Sequence, residues 1–182
     1  MPAPIVPRRF LWAIDRLDIR PTDRLLEIGC GRGVAVGLVC DRLTTGTITA
    51  IDRSPVAIEA AMARNRDHIA CGKAVFHVLA LCDADLPACG YDKIFAVNVN
   101  VFWTDGIRAL AAVRNVLAPP GVLHLVYQPP TARQLTTLIG KLAPALARSG
   151  FSIDDPLVVE GGTPLLCISG RIPMTAPDRQ RT

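Results

Sequence analysis

The 182-residue chain predicts an α/β fold. The expected form is a three-layer sandwich with helices on both faces of a mostly parallel, seven-stranded sheet whose last strand runs antiparallel. Three observations lead there. Short apolar runs alternate with stretches of helical periodicity through most of the chain. Several of those runs are apolar on both faces, the pattern of parallel strands wrapped by crossover helices. The final two runs are joined by Gly161-Gly162, a turn signal for an antiparallel hairpin.

Residues 8–18 read as an opening helix with Phe10, Leu11, Ile14 and Leu17 on one face, broken by Pro21 and Thr22. Arg24–Ile28 is a first strand ending in glycines. Val34–Leu43 is helical, closed by Gly46, and Thr47–Ile51 is the second strand. Ser54 and Pro55 have the cap and first-turn chemistry of a helix to Asn65. Ala74–Leu81 and Lys93–Asn98 are the third and fourth strands. Thr104 or Asp105 caps a helix to Leu117, and Pro119-Pro120-Gly121 stops the chain before a fifth strand, Val122–Tyr127. A helix follows over Thr131–Arg148, bent at Pro144. Ser152–Val159 and Pro164–Ile172 complete the sheet. The expectation is one domain over residues 1–173, with residues 1–20 as a lid and 174–182 as a flexible tail.

Composition narrows the function classes. Half the residues are apolar and mean hydropathy is +0.32, which favours a packed globule over disorder. No stretch approaches the about 20 apolar residues of a spanning helix, and no apolar run follows Arg8 and Arg9 as in a secretory leader. A cytoplasmic protein with no membrane partner is expected. The net charge of +4 is partly terminal, in Arg8, Arg9, Arg171, Arg179 and Arg181, and no basic stripe argues for nucleic acid. The six cysteines form no C-x-x-C pair and do not cluster with the three histidines, so no metal is expected. A monomer or a homodimer is compatible with this composition.

The most informative segment is Leu25-Leu26-Glu27-Ile28-Gly29-Cys30-Gly31-Arg32-Gly33, an apolar strand running into a glycine-rich turn that opens a helix. Open α/β sheets bind ligands at the carboxyl ends of their strands, and glycines let the backbone approach a ligand closely. The spacing is G-x-G-x-G. Val34 stands where a dinucleotide fingerprint needs its third glycine, which weakens a nicotinamide reading. Asp52 ends the second strand, where a carboxylate accepts hydrogen bonds from ribose hydroxyls. Asp83 follows the third strand, and the fourth ends in Asn98-Val99-Asn100-Val101-Phe102-Trp103.

Together these segments resemble the class I S-adenosylmethionine-dependent methyltransferases from about Arg8 to Ile172. The resemblance implies S-adenosyl-L-methionine as cofactor and assigns roles residue by residue. Glu27 helps position the loop, and Gly29, Cys30, Gly31 and Gly33 form it. Asp52 binds the ribose, Arg53 flanks the adenine, Asp83 and Ala84 meet its edge, and the Asn98 carbonyl receives the methionine ammonium. The fourth-strand segment departs from the Asn/Asp-Pro-Pro-Tyr form of amino-group methylases, which counts against nucleic-acid bases as acceptors. The expected reaction is methyl transfer to a small molecule. The alternatives are a protein or RNA acceptor, or a non-catalytic cofactor-binding module. Tyr127 and Asn100 are the candidates for contact with the reacting atoms, although an amide is no base. Phe10, Trp12, Trp103 and Tyr127 are the candidate walls of the acceptor pocket.

Overall fold

The computed structural model describes residues 5–159 and 162–173. The expectations for a tail at 174–182, for the first four residues and for Gly161 lie outside the described residues. Elements follow in the order α1 (Arg8–Arg16), β1 (Arg24–Ile28), α2 (Val34–Cys40), β2 (Thr47–Asp52), α3 (Pro55–Arg64), α4 (Arg66–Ala70) and β3 (Ala74–Val78). Then come a 3-10 turn (Leu81–Asp83), β4 (Tyr91–Val97), α5 (Val101–Thr104), α6 (Gly106–Val116), β5 (Leu117–Tyr127), α7 (Ala132–Arg148), β6 (Ser152–Ile153), β7 (Leu157–Val159) and β8 (Leu165–Arg171).

The strands form one sheet in the order β3-β2-β1-β4-β5-β8-β6, with β7 also paired to β8. β1 through β5 run parallel, and β8 runs antiparallel to β5, β6 and β7. The expected seventh-strand arrangement is therefore present, but the penultimate strand is split in two. Pro156 lies in the gap and has no N–H to give the ladder, while Asp154 keeps one bond, its N–H donating to the Ser169 carbonyl at 3.1 Å. The fifth strand also begins earlier than its prolines suggest. Leu117 pairs with Tyr91, the register shifts over Pro119-Pro120, and regular pairing resumes at Val122 with Lys93. Two short helices, α4 and α5, were not evident in the hydrophobic pattern because neither is long enough to show a period.

Period-two alternation sends side chains to two cores. Leu26, Ile28, Ile94, Ala96, Leu123 and Leu125 pack with Leu110 and Val113 of α6 and Leu142 and Leu146 of α7. Leu25, Ile48, Ala50, Phe95 and Val126 pack on the other face with α1, α2 and Ile58 of α3. Side chains cap α3 and α7, whereas Asp105, expected with Thr104 as a cap for α6, stands at its N-cap without a side-chain bond to the backbone. The Ser54 hydroxyl accepts from the Ala57 N–H at 3.2 Å before Pro55, and the Thr131 hydroxyl accepts from the Gln134 N–H at 3.3 Å. No helix among the described residues is long and apolar enough to cross a membrane.

His124 of β5 faces the α1 side, 6% exposed, with Nδ1 2.9 Å from the Ser169 hydroxyl. Burial, together with the cations Lys93 and Arg171, pushes its pKa from 6.5 down to about 4. The unfolded chain takes up this proton near pH 6.5, whereas the folded chain resists until about pH 4. Stability from this group is thus complete above pH 6.5 and is lost as pH falls through that window, by at most ~3 kcal/mol. His124→Gln is expected to remove the slope. Urea unfolding of both proteins from pH 7 to 4 checks it, read as the difference between them. Parallel curves would refute the assignment.

Candidate functional site

The carboxyl ends of β1, β2, β4 and β5 lie at one edge of the sheet, and the chain order reverses there between β1 and β4. A cleft of about 580 Å³ opens at this edge, lined by Gly29, Asp52, Arg53, Leu81, Asn98 and Val101 among others. Such a crevice is where open α/β sheets take their ligands.

The glycine loop shapes its floor. The Gly29 and Cys30 N–H groups both donate to the Ile51 carbonyl, at 2.8 and 3.1 Å, so the loop is stitched to the end of β2. Gly33 has φ +69°, and a Cβ there would lie 2.6 Å from Asn65 Nδ2 and 2.9 Å from the Ala61 Cβ. Helix α3 therefore packs directly on the loop. Asn65 locks the contact, its buried amide donating to the Gly33 carbonyl at 3.0 Å and the Ala61 carbonyl at 2.8 Å. Sequence reading took Asn65 only as a helix end; nothing in its spacing shows that it lies beneath the loop. Gly31 differs, because a Cβ on it would meet no atom within 4 Å. Its φ of +52° and the open space over it leave a cradle for a ligand.

Asp52 holds the loop from the other side. One carboxylate oxygen accepts from the Gly31 N–H at 2.9 Å and the other from the Ser54 N–H at 2.9 Å. Each oxygen keeps acceptor capacity for a ligand hydroxyl. Glu27, on the α2 side of β1, is 1% exposed, and its Oε2 has no hydrogen-bond partner. Burial, reinforced by the Asp52 charge, pushes its carboxyl well above the ordinary range. Cys30 is buried beside it, and burial raises its thiol too. A native structure rarely leaves such an atom orphaned. The orphan and the open cradle over Gly31 both fit a bound nucleotide-type ligand, although Glu27 itself is buried and is not among the residues that border the cleft.

The Glu27 observation carries a prediction. Because the folded carboxyl is held above its ordinary value of 4.5, the folded chain keeps this proton more firmly than the unfolded one, and stability from this group falls as pH rises above about 4.5. This trend is opposite to that of His124. Glu27→Gln is expected to raise the stability of the ligand-free protein at neutral pH while weakening cofactor affinity. Thermal unfolding with and without ligand checks both halves; a variant less stable than the parent would refute the orphan's cost.

The other expected residues fall as follows. Arg53 lines the cleft and is exposed. Asn98 follows β4 with φ +58°; its side-chain oxygen accepts from the Gln128 N–H at 2.8 Å, tying the ends of β4 and β5 together. Asp83 and Ala84 do not line the cleft. The Asp83 carboxylate is turned to Arg108 at 3.6 Å, and Ala80, Leu81 and Cys82 border the cleft instead. Phe10 and Trp12 pack on the α1–α2 face and border neither hollow at this edge.

Beside the cleft, and sharing Asn98 and Asn100 with it, is a cavity of about 390 Å³. Trp103 and Tyr127 form one wall, with ring centroids 5.0 Å apart and planes tilted at 46°. Gln128 and Leu138 belong to the same lining, with Gln134 and Lys141 of α7. The Tyr127 hydroxyl donates to the Val99 carbonyl at 2.9 Å, and burial pushes its pKa up. It is thus committed to the loop after β4 and poorly suited to accept a proton. The only titratable side chains in this lining are Tyr127 and Lys141.

The profile of the methyltransferase domain family matches residues 25–121, from β1 into the start of β5, including the glycine loop, Asp52 and Asn98. An uncharacterised methyltransferase of Bacillus subtilis, YdaC, is 28% identical over 119 residues, covering 65% of this chain and 63% of that protein. The trans-aconitate 2-methyltransferase of Streptomyces avermitilis is 34% identical over 121 residues, covering 64% of this chain and 44% of that enzyme. The chain thus spans less than two thirds of these relatives. In fold it is similar to a S-adenosylmethionine-dependent methyltransferase from Aquifex aeolicus, with TM-score 0.73, 15% identity and coverage of 90% of this chain and 89% of that one. The cyclase SpnF also shares the fold, with TM-score 0.78, 18% identity and coverage of 92% and 82%, so the fold alone does not dictate the reaction. The matched profile, which takes in the loop and both ends of the cleft, decides the family: the chain belongs to the methyltransferase domain family, whose cofactor is S-adenosylmethionine.

Proposed function

We propose that this protein transfers a methyl group from S-adenosylmethionine to a small-molecule acceptor seated in the 390 Å³ cavity, and that the acceptor atom arrives with its lone pair free. The observation that carries this reading is the lining of that cavity. It adjoins the cofactor cleft through Asn98 and Asn100, has the size of a small-molecule site, and contains no carboxylate or histidine to act as a base. A nucleophile already unprotonated at neutral pH, such as a carboxylate, needs none. The relative named for trans-aconitate supports a small acceptor of this kind.

In this reading Asp52 receives the ribose hydroxyls and the Asn98 carbonyl the methionine ammonium. Glu27 Oε2 gains the partner it lacks, and the adenine lies between Arg53 and Leu79–Cys82. When bound, S-adenosylmethionine supplies a sulfonium methyl, whose bond electrons return to sulfur as the acceptor's lone pair takes the carbon. The protein's part is positioning, which can supply up to ~7–11 kcal/mol of the barrier. The side-chain amides of Asn100, Gln128 and Gln134 orient the acceptor, Trp103 and Leu138 keep water from it, and Tyr127 steadies the Val99 carbonyl beside the cofactor.

The test uses methyl-labelled cofactor and a cell extract divided into a small-molecule filtrate and a macromolecular retentate. Label should enter organic products in the filtrate only. Label appearing in protein or RNA of the retentate would overturn the small-molecule reading.

A further inference from the structure

The acceptor cavity shares part of its wall with another hollow. Trp103 and Lys141 also border a second hollow of about 380 Å³, between α5–α6 and α7, lined by Phe102, Ile107, Pro144 and Arg148. The three hollows therefore lie in a row with shared walls: cofactor cleft, acceptor cavity, then an outer groove. On α7 the bordering residues Gln134, Thr137, Lys141, Pro144 and Arg148 recur at helical spacing and form one stripe. Lys141 and Arg148 stand seven residues apart on it, about 10 Å along the axis.

The groove is apolar along its floor and cationic along one lip. Ile107, at its mouth, is 82% exposed, an apolar side chain with nothing over it. Neither Lys141 nor Arg148 is in an ion pair among the described residues, and no acidic side chain lines the cavity or the groove. Asp105, next to Gly106 at the edge of the groove, is held by Arg108 at 3.6 Å. The α7 stripe also lies beyond residues 25–121, the stretch the family profile matches, so it belongs to the part of the chain that the shared domain does not specify.

We infer that this groove selects the acceptor, and that the acceptor is an elongated organic anion. Its reacting end meets the cofactor at Asn98 and Asn100, its apolar body lies on Trp103, Phe102 and Ile107, and its anionic group is held by Lys141, with Arg148 reached by longer molecules. A carboxylate and a phosphate both satisfy the charge, and the experiment separates them. The inference rests on the methyl-transfer reading for what happens at the inner end, but the binding itself is measurable without turnover.

Trp103 provides the readout. The chain has two tryptophans, and Trp12 packs on the opposite face of the sheet, so Trp12→Phe leaves Trp103 as the reporter. This protein is titrated with octanoate, octyl phosphate, octanol and octylammonium, each with and without S-adenosylhomocysteine, whose own binding is followed by calorimetry. Octanoate or octyl phosphate is expected to change Trp103 emission at concentrations about tenfold below octanol, with octylammonium weaker still. The better of the two anions identifies the head group. Lys141→Ala combined with Arg148→Ala should erase the anion preference, each cation contributing up to about fivefold, and leave S-adenosylhomocysteine binding unchanged. Equal binding of the anion, alcohol and ammonium, an unaffected double variant, or no response to any of the four would overturn the inference. Failure of the calorimetric titration alone would instead strike the cofactor reading.

Discussion

Asp52→Ala is expected to weaken binding of S-adenosylmethionine and S-adenosylhomocysteine by about 10²–10⁴-fold, and to do so without unfolding the protein. The carboxylate has two tasks. It holds the glycine loop through the Gly31 and Ser54 N–H groups, both at 2.9 Å, and in the proposed complex its remaining lone pairs accept the ribose hydroxyls. Hydrogen bonds to a charged group contribute ~1.5–3 kcal/mol each, and losing two gives the range stated. The two N–H groups released in the variant lie at a partly exposed edge, where water replaces the carboxylate, so the fold survives. Asp52→Asn keeps one oxygen acceptor and the side-chain size, and should fall between the two proteins. Calorimetric titration with circular dichroism as the fold control decides it. A loss below fivefold in Asp52→Ala would remove Asp52 from the ribose-binding role.

How much of this was legible beforehand divides along a physical line. Strand positions were readable because β1 and β4 are buried on both faces, which leaves mostly apolar runs in the sequence, interrupted only by Glu27 in β1 and by Asp92 and Lys93 near the start of β4. The glycine loop was readable because three positive-φ positions, at 29, 31 and 33, demand glycine whatever surrounds them. Asp52 was readable because it sits at a strand end, and the strand is local. Asp83 shows the limit. It was expected directly after a third strand ending at Leu81, but β3 ends at Val78 and a 3-10 turn at Leu81–Asp83 leads its carboxylate to Arg108 at 3.6 Å, an ion pair with a residue 25 positions away. Short turns have no periodic signal, so side-chain direction at that point is set by tertiary contacts alone.

The acceptor side was less legible for the same reason. Phe10 and Trp12 were expected at the site because an opening helix is available to serve as a lid. The helix instead buries Ala13, Ile14 and Leu17 against α2 and the sheet, and its aromatics go with that face. In the proposed reading that wall comes from α7, whose Gln134, Thr137, Leu138 and Lys141 line the cavity. That helix carries a buried stripe, Leu135, Leu142 and Leu146, and a polar stripe that a sequence reader assigns to water. Only the packing of α5 against α7 shows that part of the polar stripe borders a cavity.

Asp23→Ala is expected to destabilise the protein by about 3–5 kcal/mol, the largest single effect on stability predicted for the described residues. Lys93, in the middle of the sheet on β4, carries its ammonium to the amino-terminal edge, where Nζ meets Asp23 Oδ2 at 2.7 Å. The pair is nearly dry, with side chains 11% and 8% exposed. Lys93 also donates to the Asp18 carbonyl, and Asp23 accepts from the Arg20 N–H at 2.8 Å, so the pair closes the turn between α1 and β1. Removing the carboxylate leaves a buried ammonium with one carbonyl for company. Replacing both partners by apolar residues leaves no charge behind, so Asp23→Leu with Lys93→Met should cost much less than Asp23→Ala alone, despite changing two positions. The comparison separates the value of the pair from the cost of breaking it. Because the site lies at the edge opposite the cofactor cleft, the double variant should bind S-adenosylhomocysteine as the parent does. Urea unfolding of the three proteins makes the measurement. A single-variant loss near 1 kcal/mol would mean that water reaches Lys93 freely and that the pair behaves as a surface contact.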